Sequence, residues 1–255
     1  MMASKKSRVT RHGLARVLSK LGVCSRTQAC ELIAAGRVAV EGAVRRDAQF
    51  PVDMESTAIQ VDGMTIAATR RVYLMLNKPR GIVTTAADEL GRDTVYSLLK
   101  NADLPWIAPA GRLDRAREGL LLLSNDTAWT ARITDPRTHL SKTYHVQVNC
   151  IPDAELLARL HAGIRDGEDY LSVKRACVLR TGEKNAWLEI VLDEGKNRHI
   201  RRLLAALQIG VLRLIRVAIG ELPLGTLAKG DWRLLDSAEV GLLSRGASPV
   251  AKSNF

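Results

Sequence analysis

Gly111-Arg112-Leu113-Asp114-Arg115-Ala116-Arg117-Glu118-Gly119-Leu120-Leu121-Leu122-Leu123-Ser124-Asn125-Asp126 is the stretch whose reading decides the fold. The leucine run is short and bounded by turn-forming residues, so it reads as a buried strand. Asn125 and Asp126 can cap a helix that begins near Thr127 and ends at Pro136. Asp114 then sits in a loop just before a central strand, where a rigid scaffold can present a side chain to a cleft. Arg112, Arg115 and Arg117 flank it. Opposite charges favour the ionised form of a carboxylate, and an ionised aspartate is a competent nucleophile. Taken alone, an aspartate among arginines is more often a surface ion pair.

Working outward, Val72 to Leu76 is an apolar strand closed by the turn Asn77-Lys78-Pro79-Arg80-Gly81. Lys142 to Val148 alternates as a strand carrying Tyr144, and Ala186 to Leu192 reads as another strand. Ile200, Leu203, Leu204 and Leu207 then follow the spacing of a helix with its apolar side inward. Arg198, Arg201 and Arg202 decorate the start of that helix, against its dipole, so anionic partners are expected for them.

Upstream, residues 11–58 read as a small helical module with a hairpin. Leu14, Val17, Leu18 and Leu21 share one face of a helix over Gly13–Leu21. Ser25 to Gln28 is a capping-box pattern for a helix over Thr27–Ala35, which stops at Gly36. A strand enters the turn at Glu41-Gly42, and Asp62-Gly63 marks a hairpin between Ile59 and Ile66. Arg11, Arg16, Lys20, Arg26, Arg37, Arg45 and Arg46 project from this module with few acids nearby, which suits a polyanion. A second domain is expected over 70–236. The small, polar tail over 241–255 reads as disordered.

The composition agrees with such a partner. The chain of 255 residues has a formal net charge of +11, which steers polyanions inward. Nucleic acid is favoured over an anionic membrane surface, because no long amphipathic basic helix stands alone. No apolar run approaches a membrane span, and the basic N-terminus lacks the apolar core of a secretory signal. The four cysteines form no CxxC pair and the histidines are scattered, so no metal site is expected, and a reducing cytoplasm suits the thiols.

Several of these stretches together are similar to known families. Residues from Leu18 to Gly42, with KLGVCSRTQA and GRVAVEG, resemble the S4-type RNA-binding domain, whose paired helices lie against structured RNA. GRLD followed by a spacer, Gly119, the leucine run and Asn125-Asp126 resembles the signature of RsuA-type ribosomal RNA pseudouridine synthases. Asn77 to Gly81, Lys142 to Val148, Glu194 to Arg202 and the segment Leu214 to Arg233 resemble further motifs of that family, so the likeness covers nearly the whole chain. The sequence departs from the pattern at Arg117, where Thr or Ser is usual, and at His199, which replaces Gln.

The resemblance implies an α/β (α+β) catalytic domain with a mixed, mostly antiparallel sheet behind a small RNA-binding domain. It implies Asp114 as the catalytic residue, Tyr144 stacked on the target base, and Arg201 orienting Asp114, with Arg202 as the competing assignment. Extruding a uridine from folded RNA costs roughly a few kcal/mol. Arg112, Arg198 and Arg202 are candidates to offset this through phosphate contacts, joined by Lys78, Lys142, Lys196 and Asn197. No cofactor or metal is required for an isomerisation without hydride transfer. The expected partner is ribosomal RNA or an assembly particle, met in the cytoplasm by a monomer. Two other classes stay open: a non-catalytic RNA-binding protein on a synthase-like fold, and a glycosidase-like enzyme pairing Asp114 with Glu118.

Overall fold

The computed structural model describes residues 11–54, 56–67, 69–86 and 88–244. They form two compact units. The first comprises the residues up to Val72 with 103–108 and 124–127, and the second comprises 73–102, 109–123 and the chain from Ala128 onward. No helix among the described residues is long and apolar enough to cross a membrane.

In the first unit, strand β1 (Arg11–Gly13) leads into helices α1 (Leu14–Lys20) and α2 (Arg26–Ala34). Short strands β2 (Val38–Val40), β3 (Ala43–Val44), β4 (Pro51–Asp53), β5 (Ile59–Val61) and β6 (Met64–Thr65) follow. The order β3-β2-β5-β6 makes an antiparallel sheet, and β1 pairs with β4. The capping box at Ser25 forms in full. The Gln28 amide donates to Ser25 Oγ, and the Ser25 amide donates to Gln28 Oε1. Both satisfied amides would otherwise be orphans of the first turn. The hairpin at Asp62-Gly63 forms with both residues at positive φ, the geometry that favours this pair. Leu14, Val17, Leu18, Ala29, Ile33, Val38 and Val40 make the module's own core.

The rest of the chain forms β7 (Tyr73–Lys78), β8 (Ala108–Pro109), β9 (Glu118–Ser124), α3 (Thr127–Thr134), β10 (Lys142–Val148), α4 (Ala154–Ala162), β11 (Ile164–Asp166) and β12 (Asp169–Leu171). It continues through β13 (Arg175–Thr181), β14 (Ala186–Leu192), α5 (His199–Ala206), β15 (Val211–Ile219), β16 (Leu222–Pro223), β17 (Trp232–Leu234) and α6 (Ser237–Ser244). The main sheet runs β13-β14-β10-β15-β9-β7-β17, with β16 on β15 and β8 on β9. β15 and β9 pair in parallel, whereas β10 pairs antiparallel with both β14 and β15. The sheet is therefore mixed and mostly antiparallel, as the resemblance implied. Ile200, Leu203 and Leu204 of α5 pack on Tyr144, Val146, Leu188, Ile190 and Leu214. Leu120 and Leu122 pack with Met75, Trp129 and Ile133 in a separate cluster.

Two expectations need adjustment. The tail expected from Gly241 overlaps α6, which buries Leu243, because that leucine completes the cluster around Trp129. Residues 245–255 of that tail, like residues 1–10 of the basic arm, lie outside the described residues. Asn125 spends its side chain on the chain entering β7 and not on a helix cap. Its Oδ1 accepts from the Val72 amide, and its Nδ2 donates to Arg70 O and Thr69 Oγ1.

All seven residues of β9 are buried, and the strand begins at a constrained point. Gly119 has φ +101°, and a Cβ there would stand 2.3 Å from the Arg216 carbonyl oxygen of the paired strand. Gly119→Ala is expected to lower unfolding free energy by about 3 kcal/mol or more, since it adds both left-handed strain and a main-chain clash. Urea denaturation of the two proteins measures the difference.

Candidate active site

The loop that carries Asp114 is built by its neighbour in space, the turn after β7. Lys78 is fully buried. Its Nζ donates to the carbonyls of Pro79 (3.0 Å), Asp114 (3.4 Å) and Arg117 (3.1 Å). Thr84 Oγ1 donates to Leu113 O at 2.7 Å, and the Gly81 amide to Arg115 O at 2.8 Å. The Arg117 amide closes a tight turn onto Asp114 O at 3.0 Å. Main-chain carbonyls in a loop have no ladder partner, so a buried donor that meets several of them fixes the loop's shape. Lys78 was expected to touch RNA. It cannot, because its ammonium is enclosed beneath the loop. Burial pushes its pKa down to about 8, against the pull of Asp114 and Glu118.

Asp114 opens onto a cleft of about 500 Å³ whose wall includes Arg112, Arg115, Arg117, Lys196, Asn197 and Arg198. Tyr144 lines an adjoining recess of about 180 Å³ with Lys142, Glu194, His199, Ile200 and Arg216. The two spaces share Arg112, Arg117, Gly195 and Lys196. The recess has an aromatic wall, buried polar groups and room for one pyrimidine ring. The cleft beside it offers a carboxylate in a field of cations. Such a pair of spaces suits a planar, neutral base attached to a phosphate chain.

The arginines near Asp114 divide into distinct roles. Arg117 Nε lies 2.8 Å from Asp114 Oδ2, an ion pair by distance. It is not aligned as a hydrogen bond, and both Asp114 oxygens are without one. Arg201 donates from Nη2 to Ala116 O at 3.4 Å, and its buried Nε has no partner. Burial pulls Arg201 below its ordinary pKa, and the Asp114 charge opposes that shift. Arg202 is neither the partner of Asp114 nor free for RNA. It clasps Asp166 (2.6 Å) and Asp169 (2.7 Å), tying α5 to the β11–β12 hairpin. The anionic partner expected for Arg202 exists and is internal.

Arg198 is the N-cap of α5 in a left-handed conformation and faces the cleft beside Asn197. Lys196 donates to Tyr170 O at 2.6 Å and sits 3.0 Å from Glu194, so it is partly engaged. Lys142 lines the tyrosine recess, and burial, then Arg216, lowers its pKa. Arg216 was not singled out from the sequence. It is 7% exposed, donates from Nε to Leu120 O at 2.7 Å and stands opposite Tyr144 in the strand register. Its alternation within β15 marks it as inward-facing, the one signal that was available. Glu118, the second carboxylate of a glycosidase-like pair, is held by Arg213 (3.0 Å) and Lys229 (2.5 Å) and does not line the cleft.

In the first unit, Arg11, Arg16 and Arg26 are exposed and make no ion pair among the described residues. Lys20 Nζ lies 3.0 Å from His12 Nε2. Arg37 grips Asp62 through two bonds of 2.8 and 2.6 Å, so it joins two turns and is neutralised. Arg45 stacks on Phe50, and Arg46 caps the Ala34 carbonyl.

Comparison with known proteins agrees with both units. The profile of the RNA pseudouridylate synthase family matches residues 72–206, and that of the S4 domain matches residues 13–57. A Bacillus subtilis protein named ribosomal large subunit pseudouridine synthase B is 37% identical over 245 residues, covering 95% of this chain and 99% of its own length. An Aquifex aeolicus protein named as an uncharacterized RNA pseudouridine synthase is 38% identical over 230 residues, covering 89% of this chain and 92% of its own. The crystal structure of a pseudouridylate synthase superposes with a TM-score of 0.63 at 27% identity, over 91% of this chain and 99% of that one.

Because Lys78 titrates lower when buried than its ordinary 10.5, the folded protein binds fewer protons than the unfolded chain between about pH 8 and 10.5. Stability therefore rises with pH across that window. Relative to Lys78→Met, the wild type is expected to gain up to about 3 kcal/mol between pH 7.5 and 10.5. Paired urea titrations at several pH values measure it. A constant difference would mean that the amine does not change its charge there.

Proposed function

The chain belongs to the RNA pseudouridylate synthase family with an S4 domain ahead of the synthase domain, and from that premise we propose that it converts uridine to pseudouridine in ribosomal RNA, with Asp114 as the catalytic carboxylate. The observation that carries the residue assignment is the Asp114 cleft, adjoining the Tyr144 recess through a shared wall of cations. A flipped nucleotide entering there sets its base against Tyr144 and its sugar toward Asp114, while Arg112, Arg198 and Lys196 meet its phosphates. The reaction breaks the bond from N1 of uracil to the anomeric carbon, turns the base, and forms a bond from C5 to the same carbon. The C5 proton is lost and N1 gains one, so the balance is an isomerisation. Asp114 can add to the base or the anomeric carbon, or withdraw a ribose proton to give a glycal. Both routes use the same carboxylate.

The S4 domain supplies the anchoring contacts through Arg11, Arg16 and Arg26, which remain exposed. The name of the Bacillus subtilis relative favours the large ribosomal subunit as the source of the substrate. We read the enzyme as a monomer acting in the cytoplasm on ribosomal RNA or on an assembly particle.

Pseudouridine mapping of total ribosomal RNA from cells with the wild-type protein, without it, and with Asp114→Asn at matched abundance tests this reading. One position is expected to lose its pseudouridine without the protein and to stay unmodified with Asp114→Asn, a loss of at least about a thousandfold in rate. Full modification in all three would favour a non-catalytic RNA-binding protein on the same fold.

A further inference from the structure

We propose that Arg117 is a displaceable gate, which covers Asp114 in the empty enzyme and moves to a phosphate of the extruded nucleotide when RNA enters. The inference rests on Asp114 being the catalytic carboxylate.

Four observations point the same way. First, the pair is held by proximity of charge and not by aligned hydrogen bonds. Nε and Oδ2 are 2.8 Å apart, yet Nε and both carboxylate oxygens lack a hydrogen bond. Charge-assisted hydrogen bonds are the strong, directional ones, and a contact without them is readily exchanged for a better partner. Second, Arg117 lines both the Asp114 cleft and the Tyr144 recess, while Asp114 lines only the first and Tyr144 only the second. Arg117 thus stands, with Arg112, Gly195 and Lys196, on the wall common to the spaces that a base engaging both residues would occupy. Third, Arg117 adds unfavourable like charge to Arg201 and Arg216, so a second anion close by lowers the energy of the whole cluster. RNA brings that anion. Fourth, a replacement partner for the carboxylate is in place. Arg201 is half-buried with its Nε unpaired, and it already feels the Asp114 charge.

The movement needs no change in the loop. The turn from Asp114 to Arg117 is closed by its own main-chain bond and is held from below by Lys78. Only the Arg117 side chain has to rotate, while Arg201 takes up the exposed carboxylate.

The test measures equilibrium binding to an unmodified large-subunit ribosomal RNA transcript over a range of salt, together with single-turnover pseudouridine formation at saturating RNA. Arg117→Thr and Arg117→Gln both remove the charge, and the second preserves most of the packing in case the first fails to fold. Each is expected to flatten the slope of log affinity against log salt by about 0.7, one single-strand phosphate contact. Each should weaken binding about tenfold. Arg117→Lys should restore the slope. Asp114→Asn, which frees Arg117 permanently, should bind RNA more tightly than wild type, and the gain should vanish when combined with Arg117→Gln. An unchanged slope in Arg117→Thr and Arg117→Gln overturns the gate, and a fall in the saturated rate alongside it marks Arg117 as a fixed support of Asp114. Persistent activity in Asp114→Asn would instead overturn the catalytic assignment, whatever the slopes show.

Discussion

A single ammonium group reaches from the end of β7 into the turn that carries Asp114, meeting the Asp114 and Arg117 carbonyls there and the Pro79 carbonyl in its own turn. Burying a charge is costly, and the lowered pKa of Lys78 records that cost. What the protein gains is position. A loop with a tight turn at Asp114–Arg117 has several carbonyls that no strand can satisfy, and one three-donor group satisfies them together. The shape of the loop that carries Asp114, the direction of that side chain and the placement of Arg117 all follow from that clasp. The buried β9 strand then fixes the far end of the same loop to the centre of the sheet.

The cationic character of the chain is not spread evenly in its consequences. A formal charge of +11 describes attraction to polyanions in general. Within the fold, many of these cations are already occupied. Arg202 is bound to two aspartates, Arg37 to one, Arg213 to Glu118 and Arg233 to Glu239. Those pairs hold elements together and offer little to a ligand. The cations that stay open around the cleft, Arg112, Arg115 and Arg198, are exposed members of loops whose backbones are held in place. The site is therefore selected from the general excess by which arginines lack an internal acid.

Tyr144 and Arg216 show a similar division inside the recess. They face each other from adjacent antiparallel strands, in register, and the guanidinium is buried with one nitrogen unsatisfied. A buried, partly satisfied cation beside a phenol makes one polar end of the recess. That combination is suited to holding a flat base with carbonyl edges, because the aromatic wall takes the ring and the polar end takes an oxygen.

The sequence by itself determined the periodic elements and pointed to Asp114 as the candidate site. The leucine run made β9, Ser25 to Gln28 made a complete capping box, Asp62-Gly63 made its hairpin, and the alternation of Lys142 to Val148 made β10. These are local rules, set by neighbouring residues and by turn geometry, so they survive without knowledge of the fold. Asp114 was legible in the same way, from a motif contiguous in the chain. Only the tertiary structure decided which charged side chains were free. Arg202 meets acids 36 and 33 residues away, Lys78 meets carbonyls 36 and 39 residues away, and Arg213 meets a carboxylate 95 residues away. A side chain's charge is written in the sequence, but its partner is chosen by where the sheet places another strand. Ion pairing depends on distance in space, and distance in space is a property of the folded chain alone.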